Sequence, residues 1–204
     1  MTPILNFIVM IVAGIFMSIL YVISVSPACL EQKIGKSAYK CCGIIRTLSM
    51  VLMFVVITNY VIYASYPIPL PIPASFPWNY WISFLIAVVI TIPSLYLMIR
   101  GLIDAGTESA IPNKEHTIYG GIYKKIRHPQ AIGELPLWFA ISFFIHSLHM
   151  AIFSLVWIPV WYWWCIAEEN DLLLRYGDSY IDYKHSTGRF FPKKSGIKTV
   201  RSND

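Results

Sequence analysis

Apolar positions run without an Asp, Glu or Lys through residues 4–26, 44–65 and 78–99. Each run is long enough to cross a hydrocarbon core as a helix of about 20 residues. Arg46 sits just inside one edge of the second run and Arg100 just past the third. Two shorter stretches, 133–147 and 150–167, are separated only by Leu148 and His149 and read as a helical hairpin. Either stretch is marginal for a crossing of its own, so the pair crosses and returns in a tilted or thinned arrangement, or dips in with its backbone shielded by protein. The pattern predicts an all-α polytopic bundle of five transmembrane helices, the last two forming the hairpin. Three crossings with the hairpin lying on the surface is the alternative.

Between these segments the pattern changes character. Residues 66–73 alternate Pro with apolar residues, as in an extended polyproline-like connector. Trp78, Tyr80 and Trp81 read as an interfacial aromatic belt, and Pro93 should kink the third segment. After Arg100 comes the longest polar connection, with Gly101, Gly106, Pro112 and Asn113 as breakers. Beyond Glu169, Leu172, Tyr176, Tyr180 and Tyr183 form a helical stripe, which predicts an amphipathic helix interrupted near Gly177. The expected organisation is a scaffold of three helices over 1–100, a catalytic region over 101–192 and a flexible tail over 193–204.

Composition agrees with a membrane protein: of 204 residues 56% are hydrophobic and 13% charged, with mean hydropathy +0.58. All 16 Lys and Arg lie in 33–46, 100–127 or 175–201, and none in the Pro-rich loop or the turn near Ser147. The positive-inside rule then predicts an outside N-terminus, with the C-terminus and the active site cytoplasmic. The net charge of +5 is accounted for by this topology and by anionic headgroups, not by nucleic acid. With no basic residue before Lys33, the first segment reads as retained, not as a cleaved leader. Cys29, Cys41, Cys42 and Cys165 make no CxxC pair or disulfide framework and read as packing residues. His146 and His149 lack further ligands and read as interfacial, so no metal site is expected.

The run from Glu115 to Gly133 sets His116, Tyr119, paired Gly120-Gly121, Tyr123 and the triplet Arg127-His128-Pro129 between apolar segments. Pro129 makes a rigid turn or opens a helix, whose free N–H groups suit an anionic ligand group. Glu168 and Glu169, adjacent at the end of an aromatic segment, repel one another; a cationic ligand would relieve this, and so would salt bridges to Lys124, Lys125 or Arg127.

The ordered set His116 to Tyr119, Gly121-Ile-Tyr123, Arg127-His-Pro129, Gly133, Glu168-Glu169, Tyr176-Gly177, Tyr180, Tyr183 and Arg189-Phe-Phe-Pro192 resembles the isoprenylcysteine carboxyl methyltransferase family, as a small microbial member. The resemblance covers about 108–192, and phospholipid N-methyltransferases and membrane sterol reductases share parts of it. It implies an integral membrane enzyme that binds S-adenosylmethionine without a Rossmann domain. His116, Thr117, Ile118 and Tyr119 would line the cofactor, with Tyr123 beside them. His128, Pro129, Gln130 and Ala131 would hold its methionine end, and Glu168 with Glu169 would face it from the opposite wall. One position departs: Trp164 stands where the family carries an arginine for the substrate carboxylate. Arg127, Arg175 or Arg189 would have to substitute.

The expected reaction moves a methyl group to a lipid-attached acceptor that enters from the bilayer, a carboxylate by the resemblance. A carboxylate needs no general base, whereas an amine acceptor must lose a proton to Glu168, Glu169 or His128. Glu168, His128 and Arg127 are the catalytic candidates. A monomer surrounded by membrane lipids is the expected state. The rival readings are a sterol-type reductase taking NADPH at Lys124-Lys125-Arg127, and a non-enzymatic lipid-binding protein.

Overall fold

The computed structural model describes residues 2–114 and 120–193. Eight α-helices follow in order among them: α1 (Pro3–Ser24), α2 (Pro27–Ile34), α3 (Ser37–Ser65), α4 (Tyr80–Ala105), α5 (Pro129–Phe144), α6 (Leu148–Ser154), α7 (Trp157–Tyr176) and α8 (Asp178–Ser186). Single 3₁₀ turns at Gly106–Ser109 and Gly121–Lys124 interrupt the long connection between α4 and α5. Local chemistry sets several boundaries. The Thr2 hydroxyl accepts from Leu5 N and the Asn79 side chain from Trp81 N, capping α1 and α4, while Pro3, Pro27 and Pro129 open their helices. Gly177, at φ 54°, ends α7 and turns the chain into α8, where the stripe predicted a break.

Four stretches are long and apolar enough to cross a membrane: Pro3–Ser24, Ser37–Ser65, Tyr80–Ser109 and Leu148–Tyr176. The hairpin corrects the expected pair of equal short segments. Its first arm, α5, has 16 residues, or about 24 Å at 1.5 Å per residue. Its second arm joins α6 to α7 over 29 residues, because the aromatic run continues as helix through Glu168, Glu169 and Arg175. The α5 helix nevertheless runs between the same two ends of the bundle as its neighbours. His128 at its start pairs with Arg189, and His146 just past its end bonds Ser83 at the start of α4. With four apolar stretches of membrane length, the molecule is an integral membrane protein built as a polytopic helical bundle.

Helix α1 packs along α3, and α4 along α5; α7 touches α1, α2 and α5 and joins the two pairs. The core is aromatic and thioether-rich: Met10, Met17, Val56, Tyr60, Tyr63, Trp138, Met150, Trp157, Trp161 and Trp164. Several of its buried polar tips bond to one another, as an apolar medium favours. Trp157 Nε1 donates to Tyr60 Oη at 2.8 Å, and Asn6 Nδ2 donates to Asn59 O at 3.1 Å. Phe54, Leu85, Val89 and Ile92 face outward, as lipid contact demands.

The Pro-rich loop closes the end away from the basic residues. Leu148 N donates to Ala74 O, His149 bonds Tyr63 Oη and Ile72 O at 3.1 Å each, and Phe76 stacks between Trp78 and Phe143. Both His146 and His149 are thus bound to protein groups, and no cluster of three metal-ligating side chains occurs among the described residues.

Candidate functional site

The basic end of the bundle is tied together by buried ion pairs, beginning with the turn before α5. Gly121 adopts φ 52°, and a Cβ there would overlap the Asp104 carboxylate, which accepts from Ile122 N at 2.7 Å. Glycine is required at this approach. The chain then runs beside residues 188–189, with Arg127 N donating to Gly188 O and His128 N to Arg189 O. The Tyr183 hydroxyl donates to Tyr123 O at 2.7 Å, and Tyr123, Leu172 and Tyr180 pack with Ala105, so the predicted aromatic stripe seats α8 on the loop.

The two adjacent carboxylates of α7 part company. Glu169 is 2% exposed and takes Arg127 Nε at 3.0 Å, Arg189 Nε at 2.9 Å and Arg189 Nη2 at 2.7 Å. Arg127 also donates to the carbonyls of Lys184 and Thr187. Glu168 keeps 34% of its side chain exposed, toward a cavity. Between them the His128 ring pairs through Nε2 with Glu169 at 3.0 Å and through Nδ1 with Glu168 at 3.3 Å. Burial by itself would lower the His128 pKa, but hydrogen bonds to Cys165, Glu168 and Glu169 raise it well above the ordinary histidine value. The imidazole is therefore held as the cation.

The cavity, of about 100 Å³, opens among α1, α3, α4, α5 and α7. Of the residues singled out from the sequence, Tyr123, Arg127, His128, Gln130, Ala131 and Glu168 line it. Pro129 is buried at the first turn of α5, and Glu169 faces the arginines instead. His116, Thr117, Ile118 and Tyr119 lie outside the described residues. Trp164 does line the cavity, stacked on Tyr21 at 4.2 Å with its Nε1 lacking a partner among the described residues.

Two charged lining residues that form no ion pair among the described residues were given no role from the sequence. Arg46, 9% exposed, donates to the carbonyls of Ser24, Glu108 and Ser109, its Nε has no partner, and it forms no ion pair among the described residues. Glu134, on α5, receives the Trp161 indole N–H and likewise forms no ion pair among the described residues. Both are charged residues inside or at the edge of apolar runs, where ionisable groups are costly and signal function. That signal was available. Spacing alone gave them no partners.

The three arginines offered as substitutes for the missing anchor are all engaged. Arg127 and Arg189 hold Glu169, while Arg175 pairs with Glu108 at 2.7 Å and Asp171 at 3.0 Å. Lys124 and Lys125 are exposed and off the cavity, so the basic cluster that a nicotinamide 2′-phosphate would need is not assembled.

The family model described as phospholipid methyltransferase matches residues 78–179, half of the chain. The chain belongs to the phospholipid methyltransferase family. Comparison with curated proteins and with solved structures found no match. The methyltransferase match takes in α4 to α7 and hence Arg127, His128, Glu134, Glu168 and Glu169, while Tyr21 and Arg46 come from helices outside it. Membership fits the resemblance to isoprenylcysteine carboxyl methyltransferases, which fall in the same group of membrane methyltransferases. The protein is a membrane methyltransferase acting on lipids.

Proposed function

We propose that this methyltransferase uses S-adenosylmethionine as donor and methylates the amine of a lipid headgroup, with the basic end of the bundle on the cytoplasmic side. The carrying observation is the charge of the cavity wall: Glu134 and Glu168 line it from α5 and α7, and Arg46 is the one lining arginine without a carboxylate partner among the described residues.

The residues present fit the donor. Arg46, with a free Nε, suits the methionine carboxylate, and Glu168 suits the adjacent cationic groups. Tyr21, Tyr123, Trp161 and Trp164 offer apolar and stacking surface, and the unpartnered Trp164 Nε1 offers a further donor. When bound, S-adenosylmethionine supplies a methyl group activated by its sulfonium. The side chains align the acceptor at contact distance and keep water out, which is the greater part of catalysing an in-line displacement. His128 fixes the orientation of Glu168 from behind.

The amine replaces the carboxylate acceptor that the resemblance implies. With Trp164 at the anchor position and Arg127, Arg175 and Arg189 already paired with carboxylates, a second carboxylate would find no unpaired arginine beyond Arg46 and would be opposed by Glu134 and Glu168. Titration of detergent-solubilised protein with S-adenosylhomocysteine should show saturable binding, weakened at least about tenfold, or 1.4 kcal/mol, by either Arg46→Gln or Glu168→Gln. Membranes incubated with methyl-labelled donor should yield lipid label that survives mild base. Absence of binding sinks the donor reading, and base-labile label sinks the amine.

A further inference from the structure

We propose that Glu134 is the proton acceptor of the reaction, taking a proton from the headgroup ammonium before methyl transfer; this rests on the amine reading above. An ammonium has no lone pair with which to attack, so an N-methyltransferase must remove a proton at the site. Four groups facing the cavity could receive it, Glu108, Glu168, His128 and Glu134, and their surroundings separate them: Glu108 is held by Arg175 at 2.7 Å.

Glu168 is held against the His128 ring at 3.3 Å, and His128 is itself positively charged between two carboxylates. A carboxylate so paired is stabilised in its ionised form and is a poor base, and a ring already protonated cannot accept. Glu134 has no such cation. Its partner is the neutral indole N–H of Trp161, it sits on α5 one turn beyond Gln130, and it lines the cavity beside Ala131 and Trp161. A carboxylate placed in an apolar helix without a cation is costly to keep charged, so it gains by accepting a proton. Two carboxylates facing one cavity with unlike partners divide the work: Glu168 stays ionised opposite cationic groups, and Glu134 cycles.

The step balances. One ammonium N–H bond breaks, its proton goes to a Glu134 oxygen, and its electron pair stays on nitrogen. That pair forms the N–C bond to the methyl carbon as the C–S bond breaks, and the bonding pair remains on sulfur, which becomes a neutral thioether. The product nitrogen carries the positive charge, and Glu134 returns its proton to solvent after product leaves.

Glu134→Gln keeps an oxygen for the Trp161 N–H but cannot take a proton. With phosphatidylethanolamine in mixed micelles at pH 7, kcat should fall about 10²- to 10⁴-fold, while S-adenosylhomocysteine binding stays within about twofold. The deficit should narrow as pH approaches the amine's own pKa of about 10, where the free base is already present. An unchanged kcat at pH 7, or a deficit that does not vary with pH, overturns the assignment while leaving the amine reading intact. Failure of the wild-type protein to form any N-methyl lipid overturns both. Should Glu134→Gln lose S-adenosylhomocysteine binding, Trp161→Phe carries the test. Loss of the N–H should move the rising limb of kcat to higher pH, and an unmoved limb refutes the role.

Discussion

Successive residues on a helix point about 100° apart at 3.6 residues per turn, and that angle gives Glu168 and Glu169 different work. The salt-bridge reading of the pair applies to Glu169, which is locked by Arg127 and Arg189, while Glu168 looks into the cavity. Replacing Glu169 by Gln would leave Arg127, Arg189 and His128 facing a neutral group in a buried site, a loss of about 3–5 kcal/mol by analogy with broken buried pairs. The cost should depend on pH. Because the folded-state pKa of His128 is raised, its contribution to stability is fully present below the unfolded value of about 6.5 and is lost as pH rises through the folded value. Thermal unfolding in detergent should therefore show wild type losing stability on the alkaline side, and the gap to Glu169→Gln shrinking there as one of the cations discharges. A gap that widens with pH would contradict the charged histidine. The sequence made the glutamate pair conspicuous, but the role of Arg189 in dividing it depends on a contact spanning twenty positions and the break at Gly177.

At the scale of elements, small residues decide where helices meet. A Cβ on Gly133 would lie 2.5 Å from both Met98 N and Ser94 O of α4, and one on Gly101 would lie 2.7 Å from the Gln130 side chain of α5. The α4–α5 pair, which carries Gln130, Ala131 and Glu134 to the cavity, depends on that approach. Gly133→Ala should cost about 1–3 kcal/mol and lower activity as α5 shifts, because backbone atoms cannot step aside. Gly120→Ala, at φ −89° with no atom within 4 Å, should be neutral in the same unfolding and activity assays. The long apolar runs and the break near Gly177 were legible from pattern. The short first arm of the hairpin was legible too, but the fusion of α6 with α7 and the extra helix α2 were not. Each depends on a tertiary partner, as when Asp171 accepts from Ala28 N at 2.7 Å and from Cys29 N at the start of α2.

For the whole molecule, Phe7 packs on Tyr63 beside the Pro-rich loop while Arg46 reaches Ser24 beside the cavity, so the described chain's first residues and α8 lie at opposite ends, with the basic side chains at the end that carries the cavity. Cys29 is exposed there, on α2, whereas Cys42 and Cys165 are buried. In a Cys41→Ser background, a membrane-impermeant maleimide should label Cys29 in inside-out vesicles and leave it unlabelled in intact cells. The reverse pattern would place the cavity outside and reject the orientation drawn from the positive charges.

Hydropathy is a local, additive property, and so the sequence by itself determined the membrane class, the helical architecture and the gathering of basic residues in three stretches. The order of Tyr, Gly, Arg-His-Pro and paired Glu also carried the family. Only the tertiary structure decided which of these groups meet. Arg46 reaches Glu108 across 62 positions, and His128 reaches Glu169 across 41. Packing alone brings α3 and α5 to the same cavity, because the partners of a buried charge are set by where helices touch, and no period along the chain encodes that distance.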